Sequence, residues 1–179
     1  PLAHRLGMWD VKWQLEDLAF QHVNGEAYRQ VSRLVATGGP ARENYIVEKS
    51  MILKNALENQ GIGAEVQGRA KNIYSIYGKM QKYAAQGKEF DKIYDLFAIR
   101  VLVETTEECY RALGNVHHLW RPLPGQFDDY IANPKENMYQ SLHTAVMCEG
   151  GTPLEVQIRT FQMHRVAEYG VAAHWGYKE

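Results

Sequence analysis

Two kinds of hydrophobic pattern divide the chain. Up to about residue 60, apolar positions recur every three or four residues, the period of a helix. Residues 8–23 read as an amphipathic helix with Met8, Val11, Leu15 and Leu18 on one stripe. Residues 26–35 make a weaker second helix, Thr37-Gly38-Gly39-Pro40 a break, and residues 42–60 a third helix stopped by Gly61 and Gly63. Beyond that point the pattern changes to short apolar runs and alternation. Strands are predicted over 64–67, 95–103, 142–148 and 154–159. Helices are predicted over 71–84, 105–120 and 161–177, the last with Thr160 as its N-cap. Pro122, Pro124 and Gly125 predict a loop. The expectation is an all-helical segment over 1–60 leading into a mixed α/β core over 61–179, with no internal repeat.

Composition narrows the class. A chain of 179 residues, 45% hydrophobic and 23% charged, can build one good core but not two large domains. No apolar run approaches the roughly 20 residues needed to span a bilayer, and the first nine residues contain no secretory pattern. Cys109 and Cys148 lie far apart and match no metal spacing, which points to a reduced, cytoplasmic protein. The opening Pro1 and the helical pattern running to the end suggest a piece of a longer chain. A net charge of −1 argues against a dedicated nucleic-acid binder. The basic residues cluster locally, which suits a small anionic ligand.

The clusters suggest where that ligand binds. Gly68-Arg69-Ala70-Lys71 follows one predicted strand and opens a helix, where free N–H groups and the positive dipole end favour phosphate. On that helix Lys71, Ser75, Gly78, Lys79 and Lys82 share one face, in steps of about 6 Å per four residues, while Ile73, Ile76, Tyr77 and Met80 share the other. The polar face is either a polyphosphate track or a solvated surface. Asp95, at the start of an apolar strand, is either a Mg²⁺ ligand or one half of a structural ion pair. Arg100 lies within the same strand, an odd number of residues away, so a regular strand would place it on the face opposite Asp95. In the strand 154–159, Glu155, Gln157 and Arg159 alternate with Leu154, Val156 and Ile158. Glu155 there is a metal ligand or general base beside an anion-binding arginine, or the strand is a plain amphipathic edge. The polar, aromatic segment 129–143 could stack a base on a tyrosine, read its edge with an amide and hold phosphates with a lysine and a histidine, or it could pack its own aromatics. His117 and His118 read as structural or solvent-facing rather than a metal site, His174 and Trp175 as helix packing, and His164 and Glu168 as a helix-face pair.

Together these segments resemble the RelA/SpoT homologue family of (p)ppGpp synthetases nearly end to end. The carriers are Gly68-Arg69-Ala70-Lys71 with Ser75 and Lys79, residues 95–100, the run 130–144, Glu155-Val156-Gln157-Ile158-Arg159-Thr160, and Gly170-Val171-Ala172-Ala173-His174-Trp175. Residues 1–17 resemble the stretch that joins an upstream hydrolase-like domain to the synthetase in long members. The resemblance implies an α/β (α+β), nucleotidyltransferase-like fold, a mixed sheet flanked by helices. It implies transfer of pyrophosphate from ATP to the 3′-hydroxyl of GDP or GTP, with release of AMP. In the implied site Arg69 and Arg100 sandwich adenine, and Lys71, Ser75 and Lys79 bind the ATP phosphates. Asp95 and Glu155 hold Mg²⁺, Glu155 helps deprotonate the 3′-hydroxyl, and Gln157 supports the site. Tyr139 stacks on guanine, Asn137 reads its edge, and Lys135 and His143 serve the acceptor phosphates. Ribosome or tRNA contacts would belong to other domains of a longer protein. Gln126-Phe127-Asp128-Asp129 departs from the family: bifunctional members resemble Arg-x-Lys-Asp there and dedicated synthetases Glu-x-Asp-Asp, so hydrolysis of the product by the parent protein stays open. Two other readings remain, a guanine-nucleotide sensor without catalysis and a template-independent polymerase of the same fold superfamily.

Overall fold

The computed structural model describes residues 2–37, 39–69, 71–85 and 98–170. Four helices come first: α1 (Leu2–Arg5), α2 (Trp9–Val23), α3 (Gly25–Thr37) and α4 (Gly39–Asn59). The strands β1 (Glu65–Arg69), β2 (Ala98–Val103), β3 (Arg121–Asp129), β4 (Leu142–Met147) and β5 (Pro153–Thr160) form one sheet in the order β1-β2-β5-β4-β3. The central β2–β5 pair is parallel and the other pairings are antiparallel, so the sheet is mixed. Helix α5 (Ile73–Ala84) follows β1, α6 (Thr106–Leu119) follows β2 and α7 (Phe161–Tyr169) follows β5. A full capping box starts α6: the Thr105 hydroxyl accepts from the Glu108 N–H, and the Glu108 carboxylate accepts from the Thr105 N–H.

Strand alternation gives the sheet two unlike faces. On one, Ile99, Val101, Val103, Leu142, Val146, Leu154, Val156 and Ile158 pack with Leu53 and Leu57 of α4 and with Cys109, Ala112 and Val116 of α6. All are buried, which makes this the core. The other face presents Arg100, His143, Glu155, Gln157 and Arg159, and α2, α5 and α7 gather over it.

Several expectations need correction. Gly68 and Arg69 lie inside β1, paired with Ile99 and Ala98, and do not open a helix. Gly68 is small because Ile46 of α4 packs where its Cβ would stand. Residues 121–129, expected as a loop, form the edge strand β3, which absorbs its prolines and Gly125 through a register shift between Pro122 and Phe127. The stripe expected to bury α2 faces outward: Val11 is 39% exposed, and Leu15 and Leu18 are 55%. Its inward face carries Trp9, Trp13 and Phe20 instead, because aromatic rings bury the most area and meet partners there: the Tyr139 ring for Trp9, the Arg69 guanidinium for Trp13 and the Tyr77 ring for Phe20. Asp95, His174 and Trp175 lie outside the described residues.

Candidate functional site

The site grows from the polar face of β5. Lys71 Nζ donates to Glu155 Oε2 at 2.7 Å, and Gln157 Nε2 donates to Glu155 Oε1, also at 2.7 Å. Burial alone would push Glu155 up. The charge and hydrogen bond of Lys71, with help from Gln157 and His143, outweigh it and hold the carboxyl at about 2. Glu155 is therefore a firm anion. Across β4, His143 Nδ1 stands 3.8 Å from Glu155 Oε1, and His143 Nε2 is 2.7 Å from the Tyr139 hydroxyl. Burial lowers His143 to about 4 against the pull of Glu155, so the ring is neutral, and its Nε2 shares a hydrogen bond with the Tyr139 hydroxyl. Burial also raises the Tyr139 hydroxyl.

Around this centre the cations outnumber the carboxylates. Arg100 pairs in register with Gln157, which puts it on the same face as Glu155. Arg159 is 2% exposed and donates to Glu168 Oε1 at 3.0 Å and to His164 Nδ1 at 2.7 Å; Arg100 meets the same Glu168 oxygen at 3.2 Å. Burial and then Arg159 push Arg100 down to about 10, while Glu168 opposes them. The ammonium of Lys135 lies 4.1 Å over the Tyr130 ring and 5.5 Å over Tyr139. Lys79 is lowered to about 7 by burial and by Lys71 beside it. The Nε atoms of Arg69, Arg100 and Arg159 and the indole Nε1 of Trp9 are buried without acceptors. Buried donors of that kind await acceptor atoms from a ligand or water.

Two cavities open on either side of His143. One, about 170 Å³, is lined by Trp13, Arg69, Lys135, Tyr139, Arg159 and Glu168 among others. The second, about 210 Å³, is lined by Lys79, Gln126, Asp128, His143 and Glu155 among others. The expected residues Arg69, Lys71, Lys79, Arg100, Lys135, Tyr139, His143, Glu155 and Gln157 thus converge on one face. Ser75 is half-buried on α5. Asn137 does not line either cavity; its Oδ1 accepts from the Tyr139 N–H at 3.3 Å and shapes the loop that presents that ring. Tyr139 is 9% exposed, with Trp9, Tyr130 and His143 edge-on around it, and is not an open platform.

The start of α5 is not a free phosphate cradle. Asp17 of α2 accepts from the N–H groups of Ile73 and Tyr74 at 3.2 and 2.8 Å. Sequence reasoning also missed Trp9, Trp13 and Glu168 as parts of the site. The spacing Trp9, Trp13, Asp17, Phe20 was the available signal, one helix face at every third or fourth residue.

The fold and this face define a mixed α/β domain with a strongly cationic site built round the half-buried carboxylate of Glu155. Residues 68–179 match the family described as "Region found in RelA / SpoT proteins", and the chain belongs to that family. It is 54% identical over its whole length to the GTP pyrophosphokinase of Streptomyces coelicolor, covering 21% of that protein. It is 51% identical, again over its whole length, to the bifunctional (p)ppGpp synthase/hydrolase RelA of Mycobacterium tuberculosis, covering 24% of it. The chain thus spans about a quarter or less of these relatives. Its fold is shared with the small alarmone synthetase 1 of Bacillus subtilis, solved with its product pppGpp, at a TM-score of 0.56 and 22% identity, over 84% of this chain and 82% of that one.

Proposed function

We propose that this chain is a (p)ppGpp synthetase domain that transfers pyrophosphate from ATP to the 3′-hydroxyl of GDP or GTP. The observation that carries the reading is the half-buried Glu155, held anionic by Lys71 and Gln157 beside His143 and Tyr139, within a ring of arginines and lysines. Relatives named for this activity, aligned over the full chain, support it.

The chain's own groups divide the work. Arg69 and Arg100 hold adenine, and Lys71, Ser75 and Lys79 hold the donor phosphates. Lys135, Tyr139 and His143 hold the acceptor, and Asn137 shapes the loop that presents Tyr139 to it. When Lys71 turns from Glu155 to a phosphate, the carboxylate loses the partner that keeps it at about 2 and becomes basic enough to take the 3′-hydroxyl proton. The 3′-oxygen then bonds to the β-phosphorus as the bond from the α-phosphate oxygen to that phosphorus breaks, and AMP leaves. Arg and Lys neutralise the charge that builds on the transferred group. Glu155, together with Asp95, would hold Mg²⁺. One or two carboxylates plus substrate phosphates are the usual Mg²⁺ donor set, and the half-buried, anionic Glu155 can supply one of them. When bound, the ion would supply further neutralisation of the polyphosphate. This reading implies a cytoplasmic enzyme, and no helix among the described residues is long and apolar enough to cross a membrane.

The test is to incubate the chain with ATP, GDP or GTP, and Mg²⁺, and to follow AMP and the acceptor. One AMP for each 3′-pyrophosphorylated nucleotide is expected. Nucleotide binding without AMP release would overturn catalysis in favour of a sensing module.

A further inference from the structure

Helix α2 lies across the site face. Along one of its sides, Trp9 meets the Tyr139 ring edge-on at 5.8 Å, and the Trp13 ring lies 4.4 Å from the Arg69 guanidinium carbon. One turn on, Asp17 accepts from the Ile73 and Tyr74 N–H groups and, at 3.4 Å, from the Asn72 amide. Phe20 then stacks on Tyr77 of α5 with centroids 4.7 Å apart. The turn before α2 is seated too: a Cβ on Gly170, where φ is +58°, would collide with the Leu6 carbonyl. The helix is fixed at both ends.

We propose that Trp13 and Asp17 are positioning residues for the donor nucleotide. The proposal rests on reading Arg69, Ser75 and Lys79 as the groups that hold ATP. A guanidinium on a long, flexible stem stacks well on a base only if its plane is set beforehand. Trp13 sets it, and the orphaned Nε of Arg69 marks a side chain held for a partner still to come. Asp17 acts on the other half of the donor. Its carboxylate takes the first-turn N–H groups that could otherwise have faced a phosphate. Phosphate binding therefore falls to the side chains of α5, and Asp17 fixes where that helix begins and how it is turned. Trp13 and Asp17 are four residues apart on one helix face, so one rigid element sets both parts of the donor site.

The experiment is a kinetic split on the 179-residue chain. Trp13→Leu keeps an apolar side chain but removes the π face, and Asp17→Ala removes the cap. Each is expected to raise the KM for ATP roughly three- to thirtyfold, with the KM for GDP or GTP within about twofold of the parent. Trp13→Phe and Asp17→Asn, which keep a ring face and a capping oxygen, should recover most of the loss. Binding of a non-hydrolysable ATP analogue by calorimetry gives a second readout without turnover, and circular dichroism shows that each variant is folded. Should Trp13→Leu not fold, Asp17→Ala carries the test. Both KM values rising in proportion would mean a merely structural role and overturn the proposal. So would an unchanged KM for ATP, or a lowered one, which would place Trp13 where the adenine belongs. If the parent chain binds the analogue yet releases no AMP, the catalytic reading fails while the calorimetric comparison still decides this one. If it binds no analogue, both fall.

Discussion

The two faces of the central sheet come from the same strands, one residue apart, and obey different rules. Leu154, Val156 and Ile158 on one side are buried among aliphatic side chains, and removal from water is reason enough for them to be there. Glu155, Gln157 and Arg159 on the other side are almost as buried, yet each is charged or polar. Such groups cost free energy to bury and are retained only where partners compensate. The pairing is nearly complete for the carboxylates: Glu155 has Lys71 and Gln157, and Glu168 has Arg100 and Arg159. It is incomplete for the cations, whose orphaned Nε atoms share one side of the sheet. A face that stores unpaired donors is shaped for an acceptor-rich ligand rather than for stability.

Adjacent substitutions in β5 should separate the faces most sharply. Glu155→Gln should lower turnover by roughly 10²–10⁴-fold, the usual worth of a positioned acid–base group. Leu154→Ala should leave turnover per folded molecule near that of the parent while costing about 2–5 kcal/mol of stability. Paired measurements of activity and urea unfolding check both; if Leu154→Ala loses as much turnover as Glu155→Gln, the faces are not functionally distinct. Next in size is Glu168→Gln. It strands Arg159, 2% exposed, and Arg100 without a counter-charge, and should cost about 3–5 kcal/mol. The melting temperature checks it, and an unchanged value would mean that water already neutralises the pair.

The sequence announced the two faces unequally. The alternation in 154–159 predicted which residues of β5 face the site, because a strand has a strict period of two. The polar clusters around Lys71, Arg100 and Tyr139 marked the rest of the face before any register was known. What was not legible arose from tertiary competition. The stripe of α2 was chosen by hydropathy, but Trp9, Trp13 and Phe20 won the inward position because two rings and a guanidinium waited there. The start of α5 carried a phosphate-site pattern, and nothing nearby in sequence revealed that Asp17, 56 residues away, fills it. Edge strand β3 was hidden by Pro122, Pro124 and Gly125, which an edge tolerates and a central strand does not. The burial of Arg159 on Glu168 needed the turn from β5 into α7, which alternation alone does not describe.

Lys79 offers a way to titrate the cationic face. In the unliganded chain its pKa is held at about 7 by burial and by Lys71, with Arg69 also repelling its charge and Glu155 favouring it. A bound polyphosphate favours the ammonium, so the complex has a higher pKa than the free chain. ATP affinity should therefore be level below about pH 7. It should then weaken as pH rises, by at most about tenfold per unit, until the pKa of the complex is passed. Calorimetry of ATP binding near pH 8 in two buffers of different ionisation enthalpy should show proton uptake. Lys79→Arg, charged throughout, should remove the slope. An affinity that does not change between pH 6 and 9 would mean that Lys79 does not meet the phosphates.

The smallest effect should come from the rim, where the site face runs out at β3. Asp128 pairs in register with His143 but is solvent-exposed, and with Lys79 and Glu155 it lines the second cavity. An anion there sits close to the expected path of the donor phosphates and is tolerated only if a cation screens it; free Mg²⁺ is the available one. Activity should therefore keep rising with Mg²⁺ beyond the concentration that saturates ATP. Asp128→Lys changes the local charge by two units, yet exposure limits its worth to about 1 kcal/mol or less. The variant should flatten the Mg²⁺ dependence and lower the optimum, with turnover at that optimum little altered. A Mg²⁺ titration of both proteins at fixed MgATP and ionic strength reads this directly. Curves that superimpose would make Asp128 an ordinary solvated charge and place the boundary of the working face at β4. A collapse of activity in the variant at every Mg²⁺ concentration would extend that face to the edge of the sheet and make the aspartate part of it.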